Sequence, residues 1–262
     1  MAHIGLKPSL EIKLDFDINE SLKEIKYSKN KQTIMESYIG SDKCADDYDL
    51  DMLIITEDSL ATAFDYIYEG EKLMMLEVNP VTIYYSNSVM SNYSIEKYKQ
   101  ILLEKNLIGI ASTHAFGNFF QLAFNCIINL QASIETFLNY KLNENNYLFY
   151  DKNNKIRNSS IHEKIEIALP IIFNKNFKHD YESQLLLIKN LINIRNEMIH
   201  LKPDKEQTNS KYKVIYRKII DFKFDETIEA VKIFINYHEE NLIEDCKCGK
   251  DFYFDILNNS KR

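Results

Sequence analysis

Arg195, Asn196 and His200 are the residues of this chain whose types and spacing are best suited to chemistry. A histidine imidazole can accept or donate a proton near neutral pH. An arginine guanidinium can hold an anionic group through two parallel hydrogen bonds and stabilise negative charge that develops on it. Side chains of these two kinds, brought together, could therefore transfer a proton beside a bound anion.

The spacing of the three residues sets which way they point if they lie on one helix. At about 100° per residue, Asn196 and His200 lie nearly above one another, and Arg195 lies about 140° around the helix from His200. The long arm of Arg195 can bend back toward the other two. Alternatively, a second subunit could present the complementary half, which favours a composite site at a two-fold interface.

The pattern around these residues predicts a helix from Tyr181 to Leu201 that Pro203 terminates. Arg and His near a helix end also have an ordinary explanation, because their charge complements the helix dipole and the free carbonyl groups. A second copy of the spacing begins at Arg157 and ends at His162. No apolar helix precedes it, and its serines are typical of a helix start, so we interpret it as a chance match.

Residues from about 94 onward have the three- and four-residue apolar spacing of amphipathic helices. Ser160 and Glu163 form a capping box that predicts the start of one of them. We expect Asp225 to cap the last helix. The predicted helices are Ile95–Lys105, Ser112–Leu142, one that starts after Ser160, Tyr181–Leu201, and one from Asp225 to about Asp245.

The first hundred residues have strand-like patterns instead. An alternating segment at Leu10–Ile18 and three short apolar or β-branched runs predict strands at Leu50–Thr56, Leu73–Val78 and Val81–Tyr85. Ser59–Glu69 is expected to be a short helix that ends at Gly70. We therefore predict an α+β protein with a mixed α/β domain at 1–105, an all-α helical bundle at 106–245 and a tail at 246–262.

Charge is distributed unevenly along the chain. The formal net charge is −7, but residues 189–218 hold eight basic and three acidic side chains, a local charge of +5 that leaves −12 for the remainder. A basic stretch can bind nucleic acid, although it can also be an ordinary solvated helix face. No apolar run is long enough to span a bilayer, and the four cysteines do not form a disulfide pattern, so we expect a cytoplasmic protein with no membrane partner.

Three segments resemble those of the HEPN superfamily. Residues 185–204 are similar to its signature helix, in which an Arg, a polar residue and then a His close a helical bundle. Residues 124–142, with Glu135 in an apolar stretch, resemble its long early helix, and residues 162–177 resemble the segment before the signature helix. The resemblance covers about 110–245 and does not extend to residues 1–105.

The resemblance implies a metal-independent endoribonuclease in which the 2′-hydroxyl of RNA is the nucleophile. His200 would be the general base or acid, Arg195 would bind the phosphate, and Asn196 would orient His200 or contact the phosphate. Glu135 would order Arg195 or His200 through a hydrogen bond. The expected products are a 2′,3′-cyclic phosphate and a 5′-hydroxyl, formed without metal or cofactor. A homodimer acting as a toxin or antiviral effector, with an antitoxin or regulatory partner, is implied. The alternative is a non-catalytic HEPN-like module that binds RNA, nucleotide or protein.

Two other patterns suggest metal chemistry. Gly40-Ser41 followed by Asp49 and Asp51 resembles a nucleotidyltransferase site, with Glu77 as the best third acid. The spacing from Gly-Ser to the carboxylates is shorter than such a site needs, so an acidic surface loop is the better interpretation. Cys246-Lys247-Cys248-Gly249 resembles half of a zinc knuckle. Zinc needs further ligands, and Cys44 and Cys126 are distant in sequence, so we predict no metal site there.

Overall fold

A computed structural model describes residues 3–13, 29–56, 59–104, 109–200 and 212–249. The chain divides into two units, one at Leu6–Asn79 and one that joins the first residues, including His3 to Gly5, to the chain from Pro80 onward. The boundary thus lies at Asn79–Pro80, earlier than the position near residue 105 predicted from the sequence. The predicted α+β class with a helical C-terminal region is confirmed.

The smaller unit contains a four-stranded antiparallel sheet whose central strand is β3. The first half of β3 (Ser59–Tyr68) pairs with β1 (Glu11–Lys13) along one edge and with β2 (Met52–Ile55) along the other. The rest of β3, from Ala63 to Tyr68, pairs with β4 (Glu71–Leu76) along the same edge as β1. The unit also contains a helix and a short 3₁₀ turn. The bounds are β1 Glu11–Lys13, α1 Lys29–Ile39, the 3₁₀ turn Ala45–Tyr48, β2 Met52–Ile55, β3 Ser59–Tyr68 and β4 Glu71–Leu76.

The predicted strands at Leu50–Thr56 and Leu73–Val78 are therefore present as β2 and β4, whereas the helix predicted at Ser59–Glu69 is wrong. That segment is β3, with alternate residues buried from Ser59 to Asp65. Pairing with three neighbouring strands outweighs its local helix signals. Glu69 and Gly70 both have positive φ and form the tight turn between β3 and β4, so the glycine interpreted as a helix stop is a hairpin glycine. Of the alternating segment Leu10–Ile18, β1 covers residues 11–13, and positions 14–18 lie outside the described residues.

The strand predicted at Val81–Tyr85 is also wrong, because these residues belong to the helix α2, Pro80–Asn92. Pro80 occupies its first position, where a missing N–H costs nothing. Val81, Tyr85 and Val89 are buried at four-residue spacing, so a helical stripe faces the core despite the β-branched and aromatic composition. The Tyr85 hydroxyl donates a hydrogen bond of 3.0 Å to the carbonyl of Ile228 on the last helix.

The helical unit is built around one 35-residue helix, α4. It packs against α2 and against three further helices, α3 (Ile95–Leu102), α8 (Glu182–Ile199) and α10 (Phe224–His238). The helix α8 also packs against α10 and against two short helices, α7 (Phe177–Asp180) and α9 (Tyr212–Ile220). A π-helical turn at Lys164–Ala168 joins α5 to α6. The remaining bounds are α3 Ile95–Leu102, α4 Ile110–Glu144, α5 Ile161–Glu163, α6 Leu169–Phe173, α7 Phe177–Asp180, α8 Glu182–Ile199, α9 Tyr212–Ile220 and α10 Phe224–His238.

Three predicted helix boundaries can be checked directly. The capping box at Ser160 is confirmed, since its side chain accepts from the Glu163 N–H and Glu163 accepts from the Ser160 N–H. The predicted cap at Asp225 is wrong, because Lys223 holds the cap position and Asp225 lies in the first turn of α10. That helix ends at His238, earlier than the predicted Asp245. Among the described helices, none combines the length and apolarity that a bilayer crossing requires.

Candidate functional site

The helix α8 fixes the direction in which the candidate residues point. Leu191, Ile194 and Met198 are buried at three- and four-residue spacing and face the core of the helical unit. Asn196 and His200 consequently lie on the exposed face, and Arg195 is half-buried between the two faces. The apolar stripe that folds the helix thus also places the polar side chains at its solvent-exposed C-terminal end.

Asn196 contacts both of its partners in the motif. Its side-chain oxygen accepts a hydrogen bond of 3.3 Å from Nη1 of Arg195. Its carbonyl accepts one of 3.1 Å from the backbone N–H of His200. His200 leaves the helical conformation, with φ −96° and ψ 20°, and ends α8. The Arg195 guanidinium therefore bends toward Asn196, as the length of its side chain allows. The His200 imidazole makes no hydrogen bond or ion pair within the part of the chain that the structure describes.

Glu135 lies on α4 and is half-buried. Within the described ranges, no hydrogen bond or ion pair joins it to Arg195 or to His200. The ordering contact suggested for this carboxylate is thus not formed in this single chain. Arg195, Asn196 and His200 are the members of the predicted set that the structure brings together.

The basic character of this region is partly neutralised by ion pairs. Lys218 on α9 donates to both carboxylate oxygens of Glu197 at 2.7 Å, and Lys189 pairs with Glu166 at 2.5 Å. Arg217 is exposed on α9. Exposed pairs of this kind contribute about 0–1 kcal/mol, so an incoming phosphate could displace them. Lys202, Lys205 and Lys211 lie outside the described residues.

The second sequence match has a structural role at a helix start. Arg157 donates to Oε1 and Oε2 of Glu163 at 2.6 and 3.2 Å, and Glu163 closes the capping box with Ser160. The hydrogen bonds from Arg157 and then from the Ser160 N–H lower the pKa of Glu163 to about 2. An arginine held this way is a poor candidate for binding a substrate phosphate.

Among the described residues of the smaller unit, the acidic side chains form no group of three whose oxygen atoms are mutually close. Asp49 and Asp51 line a cavity of about 630 Å³ beside Tyr38 and Met52. Gly40 and Ser41 follow the end of α1. The described residues contain one group of three or more potential metal ligands whose donor atoms are mutually close, and neither these aspartates nor Glu77 belong to it. A nucleotidyltransferase triad is therefore not formed among them.

That group consists of His3, Cys246 and Cys248, which lie in the helical unit. The cysteine pair was visible in the sequence, but the histidine was missed. His3 and Cys248 are 245 positions apart, and no local pattern around residue 3 indicates which distant segment it meets. Only covariation or tertiary structure could have joined them.

No protein-family model, curated protein or solved structure matches this chain.

Proposed function

We propose that this protein is a metal-independent endoribonuclease of the HEPN type, with its active site at the C-terminal end of α8. The observation that carries the proposal is the exposed His200 imidazole one helical turn beyond the Arg195–Asn196 pair. The apolar stripe of α8 that packs into the core does not include these side chains, so they remain available to a ligand.

Arg195 is suited to bind the scissile phosphate. Its hydrogen bond to Asn196 uses one of five guanidinium N–H donors, which leaves donors for two phosphate oxygens. Asn196 holds the guanidinium toward the same face of α8 as His200. Charge that builds on the phosphate during attack is then stabilised by a cation already in place.

Proton transfer accounts for the proposed role of His200. A base removes the proton of the 2′-hydroxyl, whose oxygen attacks the adjacent phosphorus. The bond from phosphorus to the 5′-oxygen breaks, and an acid protonates that oxygen. The products are a 2′,3′-cyclic phosphate and a 5′-hydroxyl. One imidazole cannot do both tasks at once, so a homodimer that apposes two copies of His200 would supply the base from one subunit and the acid from the other.

The biological role proposed with this chemistry is that of a toxin or antiviral effector in the cytoplasm. The smaller unit, at Leu6–Asn79, would then sense a trigger or recruit the RNA. An antitoxin or regulatory partner would hold the nuclease inactive until that trigger arrives.

Cleavage of RNA in EDTA by the purified full-length chain and by His200→Ala tests the proposal. We expect the variant to lose about 10²–10⁴-fold in rate, the usual contribution of a general acid or base. His162→Ala is a matched control, because it removes the histidine of the second Arg-Asn-x-x-x-His sequence, and it should cleave normally. Wild-type products should carry 2′,3′-cyclic phosphate ends.

Two outcomes would contradict the nuclease. Equal cleavage by wild type and His200→Ala would assign the activity to another site or to a contaminant. Absence of cleavage in the wild type across structured and single-stranded RNAs would favour the non-catalytic HEPN-like binding module. In that case RNA affinity, measured as a function of salt, should still fall on removal of Arg195.

A further inference from the structure

His3, Cys246 and Cys248 form a compact group of nitrogen and sulfur donors. One donor atom from each of the three side chains lies within 4.8 Å of those of the other two. Nε2 of His3 and Sγ of Cys248 are 3.6 Å apart. His3 is 1% exposed, whereas Cys246 is half-buried and Cys248 is exposed, so the group lies at the edge of the helical unit with one open side.

Backbone pairing holds the histidine in this place. The N–H of Cys246 donates to the carbonyl of His3 at 2.7 Å, and the N–H of Gly5 donates to the carbonyl of Glu244 at 2.9 Å. Between these two bonds, Ile4 pairs in antiparallel fashion with Asp245 and buries its side chain in the core. The approach of His3 to the cysteines is thus part of the packed structure.

The local backbone around the cysteines also suits a bound cation. The N–H of Cys248 hydrogen-bonds to the sulfur of Cys246, so the backbone itself holds the two cysteines close together. Gly249 follows with φ +74°, a conformation that favours glycine, and it turns the chain away just after the second sulfur.

The separation between His3 and Cys248 agrees with tetrahedral coordination of zinc. A zinc–sulfur bond of about 2.3 Å and a zinc–nitrogen bond of about 2.0–2.1 Å at a tetrahedral angle place the two donors about 3.5–3.6 Å apart. The Cys248–His3 separation therefore already has the required value. A centre of one imidazole and two thiolates selects a soft or borderline cation over Mg²⁺ or Ca²⁺, which prefer oxygen donors.

We propose that His3, Cys246 and Cys248 bind one thiophilic divalent cation, with Zn²⁺ the best fit, and that solvent or an added ligand supplies the fourth donor. The metal would cross-link the segment at His3–Gly5 to the segment that follows α10. This site goes beyond the proposed nuclease and does not depend on it.

Titration of the full-length, reduced, metal-free protein with Co²⁺ tests the site, since Co²⁺ reports tetrahedral thiolate coordination through its visible absorption. The protein must carry no polyhistidine tag. We expect one Co²⁺ per chain, displaced by Zn²⁺. His3→Ala, Cys246→Ser and Cys248→Ser should each weaken binding by more than about 100-fold, because loss of even an outer-shell partner costs 10–100-fold. Cys44→Ser, which removes a cysteine of the other unit, should bind normally.

A second measurement needs no variant and so does not depend on how the variants fold. Zn²⁺ added to the wild type should protect two thiols from a thiol-specific reagent and should raise the unfolding temperature. The proposal is overturned if the wild type binds neither Co²⁺ nor Zn²⁺ at micromolar concentration, or if thiol reactivity is the same with and without Zn²⁺. It is also overturned if a double variant, with both Cys246→Ser and Cys248→Ser, binds the metal as tightly as the wild type. His3→Ala should still cleave RNA if the nuclease proposal holds, so failure of either proposal leaves the other distinguishable.

Discussion

The polar side chains at the end of α8 and in the middle of β3 differ in how deeply they are buried and in how many hydrogen bonds they form. Asn196 and His200 are exposed, and the side-chain hydrogen bond between Arg195 and Asn196 is a single one of 3.3 Å. Asp65 on β3 is 8% exposed, and its carboxylate accepts from the Ala45 N–H at 3.1 and 3.2 Å and from the Tyr38 hydroxyl at 3.0 Å.

The difference separates side chains that hold the fold from side chains available for a ligand. Asp65 ties β3 to the 3₁₀ turn and to α1, so its loss should disturb the smaller unit. Within the described residues, the side chains of Arg195, Asn196 and His200 form no hydrogen bond or ion pair to another element, so their loss should leave the fold intact. Variants of the first kind should change stability without changing chemistry, and variants of the second kind should do the reverse.

Beyond His200→Ala, the largest expected effect is that of Arg195→Ala on RNA cleavage. Loss of the phosphate-binding cation should lower the rate by about 10²–10³-fold, because it removes charge stabilisation in the transition state. Arg195→Lys should restore only part of it, since an ammonium cannot make the two-pronged contact. Single-turnover cleavage and thermal unfolding, measured on the same variants, check this prediction. A large fall in unfolding temperature for Arg195→Ala would mean that Arg195, like Asp65, stabilises the fold.

A pH-dependent loss of stability is expected from His238 in the helical unit. Burial, opposed by the hydrogen bond to the Phe234 carbonyl, lowers the pKa of His238 to about 4. Between pH about 6.5 and 4 the unfolded imidazole binds more protons than the folded one. This contribution is thus complete above about pH 6.5 and is lost as the pH falls toward 4, with a slope of at most about 1.4 kcal/mol per pH unit.

Urea unfolding of wild type and His238→Gln at several pH values between 4 and 7.5 measures this contribution. The stability of the variant should vary less across that window, because glutamine does not titrate. Parallel pH profiles for the two proteins would mean that the buried imidazole does not control the acid sensitivity of the helical unit.

Asp65→Asn should destabilise the smaller unit by about 1–3 kcal/mol, the cost of weakening hydrogen bonds to a buried charged group. Burial raises the pKa of Asp65, but the Ala45 N–H and the Tyr38 hydroxyl stabilise the carboxylate and lower it below its usual value overall. The stabilisation is therefore present above the unfolded pKa near ~3.9 and is lost as the pH falls through the folded value. Chemical denaturation checks the loss, and cleavage of RNA at the wild-type rate by the folded variant would support the separation of roles.

The smallest effect is expected for Lys218→Ala. The pair with Glu197 is exposed, so the free energy of unfolding should change by less than about 1 kcal/mol. RNA binding should weaken modestly and its salt dependence should become shallower, because one cation is lost. A matched Lys99→Ala variant on α3 should leave RNA affinity unchanged, because Lys99 lines a cavity with Glu96 and Asp225 that none of the motif residues line.

Much of the helical unit could be predicted because its signals are local. The apolar spacing of residues 112–142, the capping box at Ser160 and the stripe on α8 each depend on residues within one or two turns. The same locality revealed Arg195, Asn196 and His200. The predictions were wrong where contacts with residues distant in the sequence decide the local structure. Ser59–Tyr68 is a strand because three other strands pair with it, and Pro80–Asn92 is a helix because one of its faces packs into the core.

The sequence by itself determined the α+β class, the helix that ends at His200 and the presence of an Arg-Asn-x-x-x-His motif, because periodicity and spacing act over a few residues. Only the tertiary structure decided which side chains are exposed, that no hydrogen bond among the described residues joins Glu135 to the motif, and that His3 meets Cys248 across 245 positions. Burial and long-range backbone pairing depend on the whole packed core, and no short window of residues contains that information.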